Sequence, residues 1–380
     1  MKRIFSLCLM ACLLVALVPV AAWAAPEVPA KSALLMDVAT GTVLYEANPH
    51  QKLPPASVTK VMTMLLIMEA IDDGRLNWTD TVTASETAAA KGGSQIYLKE
   101  GETMTVEDMV KSIAVSSAND CACAMAEHLA GSEDAFVELM NKRATELGMN
   151  DTNFINCTGL DDGPEGKNHV TSAYDIALMS RQLLKYHPDI TRFTTIWMDT
   201  VRSGQFGLSN TNKLIRFYDG ATGLKTGFTS EAGYCLSASA KREGMELIAV
   251  VMGSETSKDR FNACKALLDF GFAGYCLVNP QAQTTPIPVT LGKEDTVLAV
   301  PGRQPALLLE KSQKSSLQIT TELTEQVRAP VYKGQLLGTL TIRVGEQILD
   351  QIPLVAEKTV VQRSIWELFV QLLQKLSMAK

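Results

Sequence analysis

Three short motifs along this chain could together transfer an acyl group through a serine. Ser57 and Lys60 form Ser-x-x-Lys, Ser117 and Asn119 frame Ser-Ala-Asn, and residues 225–227 are Lys-Thr-Gly. A serine hydroxyl becomes a strong nucleophile once a neighbouring base removes its proton, and a lysine three residues further along a helix lies on the same face. In this order the motifs supply a nucleophile, a base, a proton relay and a carboxylate anchor.

Ser-x-x-Lys alone is weak evidence, because a second copy, Ser377 to Lys380, ends the chain. About one or two chance matches are expected in a chain of this length. An isolated copy is equally well explained by a capping serine and a surface lysine. The partners downstream of Ser57 favour the first copy, since Ser-Ala-Asn and Lys-Thr-Gly each occur once.

Lys60 can act as a base only if its amine is neutral, which requires burial or nearby cations to lower its pKa. The helix predicted from about Ser57 to Asp72 is apolar almost all round, so we expect it to be buried. Its N-terminus would also place N–H groups and positive partial charge where an oxyanion forms.

Ser117 and Asn119 fall in a break between two predicted helices, residues 105–114 and 120–129. The Ser117 hydroxyl could pass a proton between Lys60 and a leaving amine. The Asn119 amide could hold a substrate peptide group, or it could cap the second helix.

Lys225, Thr226 and Gly227 fall on a predicted strand. The Lys225 and Thr226 side chains can bind a carboxylate there. Gly227, without a side chain, lets the backbone of a substrate lie alongside the strand.

The elements that must position these motifs predict an α+β domain. Strands are expected at both ends of the segment with helices between them, so the terminal strands should meet in one antiparallel sheet. A long loop is predicted at residues 156–169. The expected strands are residues 32–38, 42–45, 223–225, 234–241 and 245–252, and the expected helices are 57–72, 105–114, 120–129, 133–147, 172–184 and 258–270.

From residue 277 the pattern changes to short β-like runs between Gly, Pro and charged turns, which predicts a small β-sandwich or barrel. The expected runs are residues 296–300, 318–323, 336–344 and 347–354. The predicted division is therefore a signal peptide (1–24), a catalytic domain (25–276), a β-sandwich domain (277–358) and an amphipathic helix (359–380).

The N-terminus is typical of a secretory signal. Lys2 and Arg3 precede an apolar stretch at residues 4–20, and Ala22 and Ala24 form a small-x-small cleavage site. An uncleaved membrane anchor is the alternative, and a lipoprotein cleaved at Cys12 is weaker because the apolar run continues past it. We expect export to the outer face of the cytoplasmic membrane.

The last stretch predicts a helix that lies on the membrane surface. Ile365, Leu368, Phe369 and Leu372 begin an apolar stripe at +3 and +4 spacing that is too short to span a bilayer. The alternative is a terminal helix that docks on its own β domain.

Charge and cysteine content exclude several other classes. Without Lys2 and Arg3 the net charge changes from −6 to −8, and no basic run offers nucleic acid a contact surface. Cys121 and Cys123 stand two apart, so they do not share a helix face as zinc ligands would. We expect buried apolar thiols and no metal or cofactor.

The motifs resemble those of the low-molecular-mass penicillin-binding proteins, specifically the serine-type D-alanyl-D-alanine carboxypeptidases. The likeness covers residues 26–353 and the tail, and it implies a β-lactamase/transpeptidase-like fold in which helices flank an antiparallel sheet. It implies an acyl-enzyme on Ser57, Lys60 as base, and an oxyanion hole built from the N–H groups of Ser57 and Phe228. Ser117, Asn119, Lys225, Thr226 and Gly227 take the family's other motif positions.

Two further features bear on this resemblance. Arg260 matches a family arginine thought to help hold the terminal carboxylate of the substrate. Phe228 departs from the family pattern, because some relatives have His at this position. The backbone N–H is unaffected by the change. Substrate preference and pH dependence can therefore differ from those of the relatives with His.

The resemblance implies hydrolysis of the terminal D-alanine from peptidoglycan stem peptides, and acylation by β-lactams. A β-lactamase and a D,D-endopeptidase are alternatives on the same fold, and a non-catalytic wall-binding protein is a further one. Class A β-lactamases use a Glu that activates the deacylating water, and the loop here has no recognisable counterpart sequence.

Overall fold

The computed structural model describes residues 25–161, 166–280 and 284–370. The predicted signal peptide and the last ten residues of the tail lie outside these ranges. The described chain divides into two compact units, residues 25–36, 43–240 and 248–274 in the first, and 37–42, 241–247 and 275–370 in the second.

A five-stranded sheet forms the centre of the first unit, with strand order β2-β1-β9-β8-β7. The first strand of this unit therefore lies beside its last, β9, as the α+β prediction requires. Every residue of β1 is buried, because the apolar run that forms it is covered on both faces of the sheet. The strands of this unit are β1 (Ser32–Asp37), β2 (Val43–Ala47), β3 (Thr81–Thr83), β4 (Thr103–Thr105), β5 (Met198–Val201), β6 (Phe206–Ser209), β7 (Ala221–Thr229), β8 (Gly233–Arg242) and β9 (Met245–Ser254).

The helices of this unit include all six that the sequence predicts, with end points shifted by at most four residues. The first helix begins three residues later than predicted, because the turn Ala56–Thr59 is a 3₁₀ helix, and the last ends four residues later. The α-helices are α1 (Lys60–Asp72), α2 (Glu86–Ala89), α3 (Val106–Ser116), α4 (Asn119–Ala130), α5 (Glu133–Glu146), α6 (Ala173–Tyr186), α7 (Thr191–Thr194), α8 (Leu214–Phe217) and α9 (Ser257–Gly274), and 3₁₀ turns lie at Gly166–Asn168 and Pro188–Ile190.

Helix α1 is the buried core helix that its composition predicts. Its apolar side chains at Val61, Met62, Leu65 and Met68 are all at most 1% exposed. The helix packs against α3, α4, α5 and α6. Because the helix is enclosed, any polar group at its first turn is removed from water as well.

Short polar residues set several helix starts. Thr105, Ser132 and Ser172 each accept a hydrogen bond from the backbone N–H three residues on, which satisfies one of the open donors of α3, α5 and α6. The Asp175 carboxylate, three residues after Ser172, accepts from the N–H of Asp151 and the hydroxyl of Thr152.

The second unit is mainly a six-stranded sheet of order β14-β16-β17-β12-β11-β15, and all four predicted β-runs form strands within it. Its core comprises aliphatic side chains such as Val297, Leu340, Ile352 and Leu354. The strands are β10 (Tyr275–Val278), β11 (Thr285–Thr290), β12 (Thr296–Pro301), β13 (Leu307–Glu310), β14 (Leu317–Leu323), β15 (Val327–Arg328), β16 (Leu336–Val344) and β17 (Gln347–Ala356), with a 3₁₀ helix at Lys311–Ser316.

Residues 365–370 are helical and contain exposed apolar side chains: Ile365 is 88% exposed and Trp366 71%. None of the helices in the described ranges combines the length and hydropathy that a membrane span requires.

Candidate active site

Ser57 and Lys60 are in direct contact at the entry to α1. The Lys60 Nζ donates to Ser57 Oγ at 3.0 Å and to the backbone oxygen of Thr158 at 2.7 Å. Lys60 is fully buried, whereas Ser57 is partly exposed. The amine is therefore held against the hydroxyl by a protein carbonyl, while the hydroxyl remains open to a substrate.

Burial lowers the pKa of Lys60 from its ordinary value to about 7, and the electrostatic influence of Cys157 and Asp120 opposes the shift. An ordinary lysine would be almost wholly protonated at neutral pH. Here a large share of the amine is neutral near pH 7, so it can accept the serine proton.

His169 stabilises the 3₁₀ turn that presents Ser57. The Thr59 hydroxyl donates to the Ala56 carbonyl at 2.8 Å, so its oxygen accepts from His169 Nε2 at 2.7 Å. The Ile155 N–H donates to Nδ1 of the same ring at 3.1 Å. These contacts require a neutral ring, and burial together with the Lys60 charge lowers the pKa of His169 to about 4.

Ser117 and Asn119 lie at the junction of α3 and α4, as the break in the helical pattern predicts. Ser117 ends α3 in the left-handed region with φ 63° and is 3% exposed. Asn119 is the first residue of α4, and Ala118 occupies the cap position, so the capping role offered as an alternative for Asn119 is wrong. Its Nδ2 donates to the Gly92 carbonyl at 2.7 Å, and its buried Oδ1 has no partner among the described residues.

Strand β7 places Lys225 and Thr226 near the same centre. Burial lowers the pKa of Lys225 well below its ordinary value, and the charges of Lys60 and Arg260 add to that effect. The Lys225 Nζ donates to the Thr226 carbonyl at 2.9 Å, and the Thr226 hydroxyl donates to Thr211 Oγ1 at 2.7 Å.

Gly227 explains why this strand can pass so close to the serine. A Cβ built on Gly227 would stand 2.6 Å from the Pro55 carbonyl and 3.1 Å from the backbone N of Ser57. A contact of 2.6 Å does not occur for a real Cβ, and 3.1 Å is tighter than most, so glycine is what brings β7 against the Ser57 turn.

Phe228 lies on β7 and is exposed, whereas Arg260, which contacts the same strand, is buried. The Phe228 ring is 53% exposed and stacks on Tyr234 with ring centroids 4.3 Å apart. Arg260 is 6% exposed, and its Nη1 donates to the carbonyls of Gly227 at 3.0 Å and Cys235 at 3.2 Å. Arg260 therefore supports the strand from behind.

Several residues of this site lie outside the three motifs and were not identified from the sequence. The long loop at 156–161 brings the Thr158 carbonyl to Lys60, and Asn156 Oδ1 holds that turn by accepting from the N–H groups of Thr158 and Gly159. His169 follows the same loop. The polar composition of the predicted loop indicated a functional segment, but composition does not determine which of its atoms contact Lys60 or the Ser57 turn.

Six cysteines in the described ranges are free thiols; five are buried and Cys276 is partly exposed. Within those same ranges no group of three or more His, Cys, Asp or Glu side chains is arranged to hold a metal ion.

Comparison with known proteins identifies the family. A sequence profile described as D-alanyl-D-alanine carboxypeptidase matches residues 20–256, and one described as the C-terminal domain of penicillin-binding protein 5 matches residues 277–362. The chain belongs to the D-alanyl-D-alanine carboxypeptidase family. Members of this family are serine peptidases, so the protein is a hydrolase with the penicillin-binding protein fold.

Relatives of this carboxypeptidase family match most of the chain. It is 44% identical over 336 residues to the D-alanyl-D-alanine carboxypeptidase DacF of Bacillus subtilis (strain 168), covering 87% of this chain and 85% of that one. Penicillin-binding protein 5 from Haemophilus influenzae is similar in structure with a TM-score of 0.75 at 31% identity, covering 89% of this chain and 99% of that one.

Penicillin-binding protein D2 from Listeria monocytogenes, solved in an ampicillin-bound form, matches with a TM-score of 0.57 at 33% identity and covers 65% of this chain and 100% of that one.

Proposed function

We propose that this serine carboxypeptidase removes the terminal D-alanine from peptidoglycan stem peptides through an ester on Ser57. The observation that supports this most directly is the buried Lys60 amine, which lies 3.0 Å from Ser57 Oγ and has a pKa near neutrality. Ser57 Oγ attacks the carbonyl of the penultimate D-alanine while Lys60 takes its proton.

The leaving D-alanine needs a proton at its nitrogen as the peptide bond breaks. Lys60 supplies the proton that it took from Ser57, and Ser117, which ends α3 and is 3% exposed, relays it. Water then attacks the ester, with Lys60 again as the base, and the shortened stem peptide leaves with a new carboxylate. The net reaction consumes one water and releases one D-alanine.

The oxyanion of each tetrahedral intermediate would be held by the backbone N–H groups of Ser57 and Phe228. The close approach of Gly227 to the Ser57 nitrogen brings these two parts of the backbone together. Donors placed where charge develops stabilise the transition state more than the ground state, which is the basis of the rate gain.

The carboxylate of the terminal D-alanine would bind at Lys225 and Thr226. Burial and the nearby Lys60 and Arg260 lower the pKa of Lys225, and an arriving carboxylate would favour its charged form. Arg260 contributes its charge from behind the strand and holds the Gly227 carbonyl in place. Asn119 has a free buried acceptor, Oδ1, for an N–H of the stem peptide.

β-Lactams would acylate Ser57 as mimics of the D-Ala-D-Ala terminus. The ampicillin-bound form of the Listeria relative supports this for the fold.

The location of the protein belongs to the same proposal. A signal at residues 1–24 would export the chain, and an amphipathic helix at 359–380 would hold it on the outer face of the cytoplasmic membrane. The exposed Ile365 and Trp366 support the second part. We place the catalytic domain at 25–276 and the β-sandwich domain at 277–358, in keeping with the two profile matches.

Two measurements test the function together. D-Alanine release from a diacyl-D-Ala-D-Ala peptide is expected from the wild-type protein and not from Ser57→Ala, and labelled penicillin should attach only to the wild type. Rapid turnover of nitrocefin would instead indicate a β-lactamase. Cleavage of cross-linked muropeptides without D-alanine release would indicate an endopeptidase, and equal labelling of both proteins would overturn the assignment of Ser57.

A further inference from the structure

A partly buried ion pair lies near the Lys60 site, and the proposed mechanism does not use it. Glu133, the first residue of α5, pairs with Lys91 through Oε2 and Nζ at 2.5 Å. Their side chains are only 16% and 21% exposed. A pair so far removed from water persists only if its remaining hydrogen-bonding capacity is satisfied.

The second oxygen of Glu133 reaches the loop that holds Lys60. Oε1 accepts from the backbone N–H of Cys157 at 3.2 Å and from its thiol at 3.1 Å. The carbonyl of the following residue, Thr158, is the acceptor for the Lys60 Nζ. Glu133 therefore binds Cys157, the residue next to the one whose carbonyl orients the Lys60 amine.

The other end of the pair reaches the segment that holds Asn119. Lys91 directly precedes Gly92, whose carbonyl accepts from Asn119 Nδ2 at 2.7 Å. Gly93 follows, and a Cβ there would meet the same Nδ2 at 2.7 Å, so the segment is packed tightly on the amide. The pair thus joins the two segments that contact Lys60 and Asn119.

Only an ionised carboxylate can make both sets of contacts. Lys91 and Cys157 bring donors to different oxygens of Glu133, so an amide in its place would have to turn its NH₂ towards one of them. Burial alone would raise the pKa of Glu133, yet the bonds from Lys91 and Cys157 outweigh it and lower the pKa. The N-terminus of α5, capped by Ser132, also favours the negative charge.

We propose that Glu133, paired with Lys91, is a positioning residue for the acylation of Ser57, because it fixes the Cys157–Thr158 and Lys91–Gly92 segments that orient Lys60 and Asn119. This inference rests on the proposed carboxypeptidase mechanism and assigns that reaction a residue outside its three motifs. If Glu133 is lost, the Thr158 carbonyl drifts from the Lys60 amine, and displacements near 1 Å at a reacting group cost about 100-fold in rate.

The test compares Glu133→Gln with Asp134→Asn in the full chain. Asp134 is the exposed neighbour in the same first turn of α5, so its variant removes the same charge near the helix terminus without touching either segment. For Glu133→Gln we expect kcat for D-alanine release and the rate of acylation by labelled penicillin to fall about 10- to 100-fold, with KM within about twofold. Asp134→Asn should match the wild type.

A second variant separates positioning from general loss of stability. Lys91→Met breaks the same ion pair but leaves the Cys157 contacts of Glu133 in place, so it should reduce kcat less than Glu133→Gln. The two changes combined should cost less than the product of their separate effects, because both act through one pair. Activities are compared at a temperature where circular dichroism shows each variant to be fully folded.

A fully folded Glu133→Gln protein with wild-type kcat would overturn the proposal, as would a change confined to KM or fully multiplicative effects of the two variants. These outcomes leave the carboxypeptidase function intact, since that is tested by D-alanine release from the wild type.

Discussion

Lys60 and Thr158 are joined by a 2.7 Å hydrogen bond from the lysine Nζ to a backbone carbonyl 98 residues further along the chain. The carbonyl orients the amine towards Ser57 without supplying a negative charge, so the burial of Lys60 can still lower its pKa. A carboxylate at this position would hold the lysine equally well but would keep it protonated. The combination of a fixed direction and a low pKa is what a lysine base requires.

The pH dependence of acylation should follow Lys60. Its folded pKa is about 7, and only the neutral amine accepts a proton, so the rate of acylation by penicillin should rise with pH through about 7 and then level off. Lys60→Arg keeps the charge but cannot be neutral, and its acylation should be slower by about 10²- to 10⁴-fold at every pH. Stopped-flow labelling from pH 5 to 9 measures both; a wild-type rate that does not change across pH 7 would contradict the assignment.

Gly227→Ala should damage the site through backbone contact. The new Cβ would lie 2.6 Å from the Pro55 carbonyl, so β7 must move away from the Ser57 turn and the two proposed oxyanion donors must separate. Loss of one such donor costs about 10²- to 10³-fold in kcat. Gly207→Ala is the control, because a Cβ there has no neighbour within 4 Å. Equal kcat values for D-alanine release in the two variants would show that the close approach is not required.

His169 should make the fold sensitive to mild acid. Its pKa of about 4 in the folded protein is depressed from an ordinary value of 6.5. The unfolded chain therefore takes up the proton at a higher pH than the folded protein does. Above pH 6.5 both states hold the neutral ring; as pH falls from 6.5 to 4, the free energy of unfolding should decrease by up to about 3 kcal/mol from this group. Urea denaturation at pH 7 and pH 4.5 measures the loss.

The matched variant for this test is His169→Gln, which removes the titration. It should be less stable than the wild type at pH 7, because the Thr59 and Ile155 contacts are disturbed. Its stability should nevertheless change less between the two pH values. A difference between pH 7 and 4.5 as large as that of the wild type would assign the acid sensitivity to other groups.

The tail prediction can be tested with vesicles. Ile365→Glu combined with Phe369→Glu places charge on exposed apolar positions of the terminal helix, so sedimentation of the full chain with anionic phospholipid vesicles should be lost. Ile348→Glu, an equally apolar and 56% exposed position on β17, should bind as the wild type does. Both proteins should release D-alanine from a soluble peptide at the wild-type rate, and vesicle binding by the tail variant would refute the prediction.

Most of the fold was predictable because its signals are local. Helical periodicity and turn residues located all six predicted helices and the main strands, and the break at Ser117 was visible as a polar interruption between two apolar runs. Asn119 was misjudged as a possible cap, since the choice between the cap position and the first helical position depends on backbone angles that composition does not express.

The sequence by itself determined the candidate reactive groups: Ser57, Lys60 and the residues of the other two motifs could be named from type, order and spacing. Only the tertiary structure decided which atoms contact these groups and hold the segments around them. The Thr158 carbonyl, the neutral ring of His169 and the carboxylate of Glu133 come from distant parts of the chain. Their contacts depend on how helices and loops pack, and burial, which lowers the pKa of Lys60, is a property of that packing rather than of any local pattern.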